Sequence, residues 1–444
     1  MKNAILVGGL LLLFGNLNAQ NAFTVTEAVD YAIKNHDNVK SAIVGIQDAE
    51  LQIKEIKAAG MPQVNGSFMY TSNIVVPTQL IAATNFNPQA KEGEVVKFKF
   101  GVPWGGQAGV GINQLIFDAT WLVGLRAADT YRLMANQEVE KSKTGVAEMV
   151  QKAYYSTLVA EQRAKLLDLN LSRMDSAIFQ TEQFFKAGFV ERIDIDRLKV
   201  QRNNLVTEKN KIKNLIDLSY QLLKFQMGYP QNEALLLKET LNAAYVKEMI
   251  GLLNTDINPD NRIEFKQLQT SRNLTLLNIE RINKTQIPSV ALSGSLGAGH
   301  SNIKFNPFER WFGSSAISLN VRIPIYDSGL RKIQAERQRL NLIKLDNGAN
   351  LLKESFKLEL GQAKINLKNG FEALESQERN LELANEVLRV SKIKFQQGTG
   401  SSLEVVNAEA DVKQSQNNYL SALYDVIISK VDFDKIQGKL IKNN

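Results

Sequence analysis

The stretch Ile317-Ser318-Leu319-Asn320-Val321-Arg322-Ile323-Pro324-Ile325 places an aliphatic residue at every odd position. Because successive side chains of a β-strand point to opposite faces, this alternation predicts a strand with one apolar face. Its length suits a tilted strand that crosses a bilayer, but a soluble antiparallel sheet alternates in the same way. Tyr326-Asp327 closes the stretch, and a long segment without proline follows.

The same arrangement occurs once before in the chain. Phe117-Asp118 ends another strand-like stretch 209 residues before Tyr326-Asp327, and it opens another long segment without proline. Gly188 and Gly398, which interrupt these two segments, lie 210 residues apart. This period is far longer than the roughly 20–50 residues of a solenoid repeat. The sequence therefore predicts two copies of one large unit.

Each copy is expected to contain one pair of strands. In the second copy these are residues 289–298 and 316–325, joined by a loop near 299–315. In the first copy they are residues 63–70 and 109–117, although Gln114 interrupts the apolar face of the latter. Residues 71–106, which contain three prolines, are expected to form a long exposed loop.

The two segments without proline, 104–229 and 325–444, predict very long helices. Proline costs about 3 kcal/mol inside a helix, so its absence permits long ones. In the first segment, small and apolar residues recur at alternating spacings of four and three, as in a coiled-coil seam. The residues of this seam are Val146, Val150, Ala153, Thr157, Ala160, Ala164, Leu167 and Leu171. Apolar Met149, Tyr154, Leu158 and Leu166 beside the seam predict contacts on more than one side of the helix.

Each long segment has one interruption that begins with a glycine. The interruptions are Gly188-Phe189-Val190 and Gly398-Thr399-Gly400-Ser401-Ser402, and acidic Asp194 and Glu404 follow them. Glycine is typical of the end of a helix, and an acidic residue suits the start of the next. We therefore expect two helical hairpins with tips near residues 188–192 and 398–402.

The N-terminus predicts export from the cytoplasm. A short basic start, an apolar run from Ala4 to Phe14 and a small residue at Ala19 predict a secretory signal peptide, residues 1–19, with a non-cleaved anchor as the alternative. The chain has no cysteine, which excludes disulfides, thiol catalysis and Cys-ligated metals. The two histidines, His36 and His300, are expected to be ordinary surface or loop residues, and no metal site is expected.

No enzymatic or nucleic-acid-binding role is expected. The net charge is +7, but lysine and arginine are scattered rather than clustered, which argues against nucleic acid. Gly294-Ser295-Leu296-Gly297-Ala298-Gly299 superficially resembles a dinucleotide-binding loop, but it lies within a predicted strand. No cofactor or catalytic group is predicted. A secreted structural coiled-coil or adhesin-like protein remains as an alternative, although it leaves the duplicated strands unexplained.

If the strands cross a membrane, the chain must assemble with copies of itself. Four strands cannot close a barrel, which needs about eight, and an open sheet edge is not tolerated in lipid. The predicted lipid-facing side chains of the second copy are Ile317, Leu319, Val321, Ile323 and Ile325. The aromatic residues expected at the membrane interfaces are Phe117, Trp121, Trp311 and Tyr326. The number of copies stays open at this point.

Three stretches together are similar to one known family. They are Thr26–Asn35, Ile323–Gly329 and the tip from Phe395 to Ala408. In this order, with a signal peptide and a duplication, they resemble the TolC-like outer-membrane efflux protein family, the outer membrane factors. The resemblance covers nearly the whole mature chain, and it implies a mainly α fold with β-strands, in which a β-hairpin and a long helical hairpin are duplicated.

The resemblance also implies an assembly and a function. Three chains would form a 12-stranded β-barrel in the outer membrane of a Gram-negative cell, continuing into a periplasmic α-barrel. This passive exit duct would dock to a periplasmic adaptor and an inner-membrane transporter. The repeats would span 20–229 and 261–444, with an equatorial connector at 230–260. The cargo, the pump and the adaptor are not predicted.

The resemblance finally implies a periplasmic gate at the tips. The gate residues would be Asp194, Glu404 and Asn407, and the tip residues would contact the adaptor. These tip residues are Gly188, Phe189, Val190, Gly398, Thr399, Gly400, Ser401 and Ser402. A ring of Glu404 would favour cations, whereas an acid at this position also stabilises its own helix. Asn407 stands where the family often has a second acid, and Gly400 where some members have a basic residue.

Overall fold

The computed structural model describes residues 21–241 and 258–441. The predicted signal peptide and residues 242–257 of the predicted connector lie outside the described residues. Internal contacts divide the chain into two compact units. We call them the helical unit (Met1–Val44, Gln137–Lys266 and Asn350–Asn444) and the strand unit (Gly45–Asn136 and Gln267–Ala349). Each unit contains parts of both sequence copies.

The elements alternate between strands and helices along the chain. The strands are β1 (Asn21–Phe23), β2 (Gln63–Ser72), β3 (Thr78–Ala82), β4 (Val95–Lys99), β5 (Trp104–Phe117), β6 (Leu235–Leu237), β7 (Ser289–Asn302) and β8 (Phe312–Arg322). The helices are α1 (Val25–Asn35), α2 (Asp37–Ala59), α3 (Ala119–Lys186), α4 (Arg192–Met227), α5 (Ile263–Lys284), α6 (Leu330–Gln396) and α7 (Ser402–Ile436).

The strand unit is built on a four-stranded antiparallel sheet with the order β2-β5-β7-β8. β2 pairs with β5, and β7 pairs with β8, as the sequence predicted. The central strands β5 and β7 also pair with each other, which joins the two sequence copies in one sheet. β2 and β8 form the edges, and neither has a second strand partner within the described part of the chain.

The register of this sheet separates apolar from polar side chains. Val64, Ile112 and Ile317 lie in one cross-strand row, together with Gly294. The same face, here called the apolar face, also carries Phe68, Val110, Leu292, Leu296, Leu319 and Val321. The opposite, polar face carries Asn65, Ser67, Gly109, Gly111, Asn113, Ser293, Ser295, Gly297, Ser314, Ala316 and Ser318. The apolar face is uncovered in one chain, since Ile317 is 84% exposed.

The strand predicted at residues 316–325 ends earlier than expected. β8 stops at Arg322, so Ile323 and Ile325 are not strand residues, and their assignment to the membrane-facing strand was wrong. Pro324 has no N–H to donate to a ladder and restricts the backbone of the residue before it. At the other end, β8 begins at Phe312, four residues before the predicted start.

The first strand pair also differs from the prediction. Residues 71–106 are not a simple loop, because β3 and β4 within them form an antiparallel hairpin. A bulge between Leu115 and Phe117 shifts the register of β5 against β7. Beside it, the Gln114 side-chain amide donates to the carbonyl oxygens of Gly60 and Leu115, at 2.8 and 2.7 Å. These bonds satisfy the polar group that interrupted the predicted apolar face.

Four long helices follow the strand pairs. α3 and α6 contain 68 and 67 residues, and each ends shortly before a glycine with positive φ, Gly188 at +79° and Gly398 at +74°. Glycine adopts this backbone conformation at little cost, so it ends both helices and lets the chain reverse. α4 and α7 then return from the two tips.

Six of the eight residues of the predicted coiled-coil seam of α3 are buried, and Ala164 and Leu171 are half-buried. Val146, Val150 and Thr157 are at most 1% exposed, and Leu167 near the tip is 5% exposed. Beside the seam, Tyr154 and Leu158 are buried, whereas Leu166 is half-buried and Met149 is 38% exposed. The prediction of contacts on more than one side of this helix is confirmed. Burial of such side chains is the main source of stability for these helices.

The N-terminal strand is fixed within the helical unit. β1 pairs in parallel with β6, and the Phe23 ring meets Tyr31 and Tyr229 edge-on, with centroid distances of 5.7 and 6.0 Å. The Tyr154 hydroxyl donates to the Phe23 carbonyl oxygen at 2.8 Å. The chain is therefore anchored directly after the predicted signal peptide.

Both histidines are buried. His36 lies in the connection between α1 and α2, whereas His300 lies within β7, which corrects the expectation of a surface or loop residue there. His36 is 8% exposed and His300 3%. The His300 ring stacks on Tyr70 and Trp311, at centroid distances of 6.1 and 5.5 Å. Gly106 makes room for this stack, because a Cβ there would lie 2.8 Å from the Trp311 ring and 2.9 Å from the Tyr70 ring.

Among the described residues, no helix is both long and apolar enough to cross a membrane.

Candidate functional site at the helical tips

The two tips cap their returning helices in different ways. At the first, Glu191 and Asp194 bond reciprocally to each other's backbone N–H, which is a capping box. At the second, the Ser401 hydroxyl accepts from the Glu404 N–H at 3.2 Å. Both arrangements satisfy backbone N–H groups that the first turn of a helix leaves without partners.

One side-chain contact joins the two tips directly. The Ser402 hydroxyl, at the start of α7, donates to the carboxylate of Asp194, at the start of α4. Asp194 also accepts from the Glu191 N–H at 3.2 Å and lies 3.7 Å from the Arg197 guanidinium. Ser402 is only 5% exposed within one chain. Its predicted contact with an adaptor stays a prediction.

The other predicted gate residues lie elsewhere on the surface of the tip. Glu404 and Asn407 are exposed on α7, and the structure does not bring them together with Asp194. Of the three predicted gate residues, Asp194 is therefore bonded to Ser402 within the chain, whereas Glu404 and Asn407 have exposed side chains.

Most predicted tip residues are exposed. Phe189 is 79% exposed, and Gly188, Gly398, Thr399 and Ser401 are also exposed, whereas Val190 and Gly400 are half-buried. The tip therefore presents a large apolar ring to solvent beside small residues.

Sequence reasoning missed an aromatic contact at the tips. The Phe184 ring meets the Phe395 ring edge-on at a centroid distance of 5.5 Å, linking α3 to α6. Phe185, which lies at the same offset before Gly188 as Phe395 before Gly398, is 41% exposed. The pairing of Phe184 depends on how the hairpins rotate against each other, which a comparison of the two motifs does not reveal.

Buried polar groups behind the tips were also missed. Lys392 of α6 and Glu409 of α7 form an ion pair at 2.6 Å, and the Glu409 side chain is 6% exposed. The Asn170 side chain donates to Gln416 at 2.9 Å, which joins α3 to α7. The sequence signal that could have found these pairs was a polar residue at a position of a long helix that is expected to be buried. Such groups are stable in a core only when they are paired, so they specify how the helices fit together.

The predicted interfacial aromatics lie in different environments. Phe117 and Tyr326 are exposed, at 40% and 86%. Trp311 is half-buried in the stack with His300. The Trp121 indole donates to the Ile56 carbonyl oxygen at 2.8 Å, and its ring lies so close to Gly60 that a Cβ there would overlap it. Trp121 thus packs within the strand unit.

Electrostatic pairing away from the tips stabilises the helical unit. Burial opposes ionisation of Glu148, yet hydrogen bonds from Lys152 and Lys435 hold the pKa of Glu148 below its ordinary value. Lys152 also pairs with Asp432 at 2.6 Å.

Within residues 21–241 and 258–441, no group of three histidine or acidic side chains is placed to hold a metal ion.

Comparison with known proteins agrees with this geometry. A family model described as "Outer membrane efflux protein" matches residues 28–223 and 260–439. Outer membrane protein TolC of Vibrio cholerae is 20% identical over 337 residues, which cover 75% of this chain and 76% of that protein. Outer membrane efflux protein BepC of Brucella suis is 19% identical over 453 residues, covering 98% and 90%.

A solved structure of CusC is similar to this fold. Its TM-score is 0.72 at 14% identity, and the match covers 93% of this chain and 92% of that one. In CusC, conformational changes accompany folding and transmembrane channel formation. The mainly helical fold with strands that the sequence predicted is confirmed by this similarity.

Proposed function

The chain belongs to the outer membrane efflux protein family, and on this premise we propose that three copies close one 12-stranded barrel above a periplasmic α-barrel. The observation that carries the proposal is the four-stranded sheet, with one apolar face, one polar face and two unpaired edges. The secreted coiled-coil or adhesin-like alternative gains no support from the family match.

The direction of the strands permits closure between copies. The four strands alternate in direction from β2 to β8, so β8 of one copy meets β2 of the next in antiparallel orientation. Closed barrels leave no edge exposed to lipid. The sheet alone fits two, three or four copies, and the family resemblance selects three.

The two faces of the sheet support one orientation in the membrane. The apolar face, with Leu319 65% exposed, would contact lipid, and the small and polar residues of the other face would line a water-filled lumen. Asn320, Ser293 and Asn113 already form hydrogen bonds across three strands on the polar face. A duct of this type needs no catalytic group, since it only lets cargo pass.

The helical tips would form the periplasmic entrance. Their exposed residues around Phe189 and Thr399 are the proposed contact for a periplasmic adaptor, which would connect the duct to an inner-membrane transporter. The Asp194–Ser402 contact holds the two hairpins of one chain together, and we assign it to the closed state of the gate. Glu404 and Asn407 would face the pore, where three copies of Glu404 form a ring of negative charge.

Ion selectivity in planar bilayers tests the proposed entrance. Wild-type protein should conduct with a preference for cations, and Glu404→Gln should lower the K⁺/Cl⁻ permeability ratio because the charge ring is lost. Glu191→Gln, which changes an acid at the other tip, is the matched control and should change the ratio less. If Glu404→Gln leaves the permeability ratio unchanged, Glu404 only stabilises its own helix and forms no charge ring. If the wild-type protein never conducts, the proposed channel function is refuted.

A further inference from the structure

A cavity lies between the two helical hairpins, directly behind the Asp194–Ser402 contact. Its volume is about 160 Å³. Both hairpins contribute to its wall, so any molecule inside it would contact both. The lining residues are Ser172, Arg173, Ser176, Ala177, Gln180, Thr181, Leu198, Lys392, Phe395, Gln396, Ser402 and Val405.

The wall combines an apolar patch with one uncompensated positive charge. Ala177, Leu198, Phe395 and Val405 supply the apolar patch, and all four are buried or half-buried. The charge of Lys392 is balanced by Glu409 at 2.6 Å. In contrast, half-buried Arg173 donates to the neutral Asn170 side-chain oxygen at 2.6 Å, and no described carboxylate lies within ion-pair distance of it.

Size and chemistry together define the ligand. A cavity of about 150 Å³ is large enough to hold a benzene ring, so a volume of about 160 Å³ has room for a single six-membered ring beside the apolar patch. Arginine is the side chain best suited to bind a carboxylate, through two parallel hydrogen bonds. We propose that the cavity binds a small aromatic monocarboxylate, with the ring against Phe395 and Leu198 and the carboxylate on Arg173.

Occupancy would stabilise the closed tip. A ligand that contacts both hairpins binds only while they are together, and at about 100 times its Kd it shifts that equilibrium by about a hundredfold. This regulatory step rests on the proposed gate, whereas binding itself does not.

Calorimetric titration of the detergent-solubilised protein with benzoate tests the site. Wild type should bind benzoate, and benzamide, its neutral isostere, should bind about tenfold more weakly because the charged hydrogen bonds are lost. Arg173→Gln should weaken benzoate binding about tenfold and leave benzamide unchanged. Ala177→Phe, which fills the cavity, should abolish both. The matched control is Arg202→Gln, since Arg202 lies outside this cavity and pairs with exposed Asp175.

The outcomes separate the site from the channel. Three results would each overturn the proposed site. In the first, wild type does not bind benzoate, and in the second it binds benzoate and benzamide equally well. The third such result is benzoate binding that neither Arg173→Gln nor Ala177→Phe changes. In planar bilayers, benzoate should lower the conductance of wild type but not that of Arg173→Gln. Calorimetric binding without this effect would overturn the regulatory step, while protein that does not conduct even without benzoate would contradict the proposed function instead.

Discussion

The helical unit and the strand unit place their apolar residues in opposite ways. In the helical unit, large apolar side chains such as Leu367 and Phe433 are fully buried inside a single chain. In the sheet of the strand unit, Ile317 and Leu319 point outward and stay exposed. One region is stabilised by its own core, whereas the sheet leaves its apolar face uncovered in a single chain. This difference is what the proposed contact of the apolar face with lipid would require.

The largest expected effect lies in the helical core. Leu367→Ala should lower the free energy of unfolding by about 2–5 kcal/mol, because Leu367 is 0% exposed and its removal leaves a cavity. Chemical denaturation followed by circular dichroism measures the loss. Lys368→Ala is the neighbouring control, as the Lys368 side chain is 68% exposed, and it should change stability little. Equal losses for both variants would contradict a core at this position.

A charge on the apolar face of the sheet should have an effect that depends on lipid. Leu319→Arg should destabilise the protein in lipid vesicles by about 2–4 kcal/mol if the residue lies near the bilayer midplane. Urea unfolding in vesicles provides the measurement. Ser318→Arg, one residue earlier and on the polar face, is the control and should be tolerated better. If Ser318→Arg is the more damaging variant, the two faces are assigned the wrong way round.

The contact between the tips should have a smaller effect on stability and a clear effect on conductance. Ser402→Ala removes a hydrogen bond to a charged group, which contributes about 1.5–3 kcal/mol. We expect a higher open fraction in planar bilayers, because Asp194 no longer holds the second hairpin. Thr399→Ala, at an exposed position of the same tip, is the control. If Ser402→Ala has the same conductance as wild type, the Asp194–Ser402 contact does not control the gate.

The smallest effect concerns acid stability of the helical unit. Because the pKa of Glu148 is lowered in the folded chain, its ionic contacts stabilise the fold above the pKa that it has when unfolded. This stabilisation is lost as the pH falls through the folded-state pKa. Glu148→Gln should therefore reduce stability at neutral pH and flatten its decline in acid, measured by thermal unfolding across pH. A decline as steep as that of wild type would assign the acid sensitivity to other groups.

Features with a local cause could be predicted from the sequence. Alternation located β7 and β8, and a glycine with positive φ ended each long helix at Gly188 and Gly398. Pro324 indicated the end of β8, but the regular alternation continues through Ile323 and Ile325, so the predicted strand was too long. β3 and β4 were missed because prolines and glycines around them indicate a loop.

Features that depend on distant contacts could not be predicted in the same way. Ser402 bonds to Asp194 although 208 residues separate them. The burial of His300 requires the open surface that Gly106 leaves on the neighbouring strand. Likewise, the choice of Phe184 over Phe185 depends on how two helices rotate against each other. In each case the sequence shows the residue but does not show which distant residue it contacts.

Electron cryomicroscopy of the full chain in lipid nanodiscs tests the central claim most directly. We predict a three-fold particle whose barrel closes where β8 of one copy pairs with β2 of the next, with Leu319 facing lipid and Ser318 facing the lumen. A particle with another number of copies, or an elongated assembly in which the four-stranded sheet stays open, would contradict it.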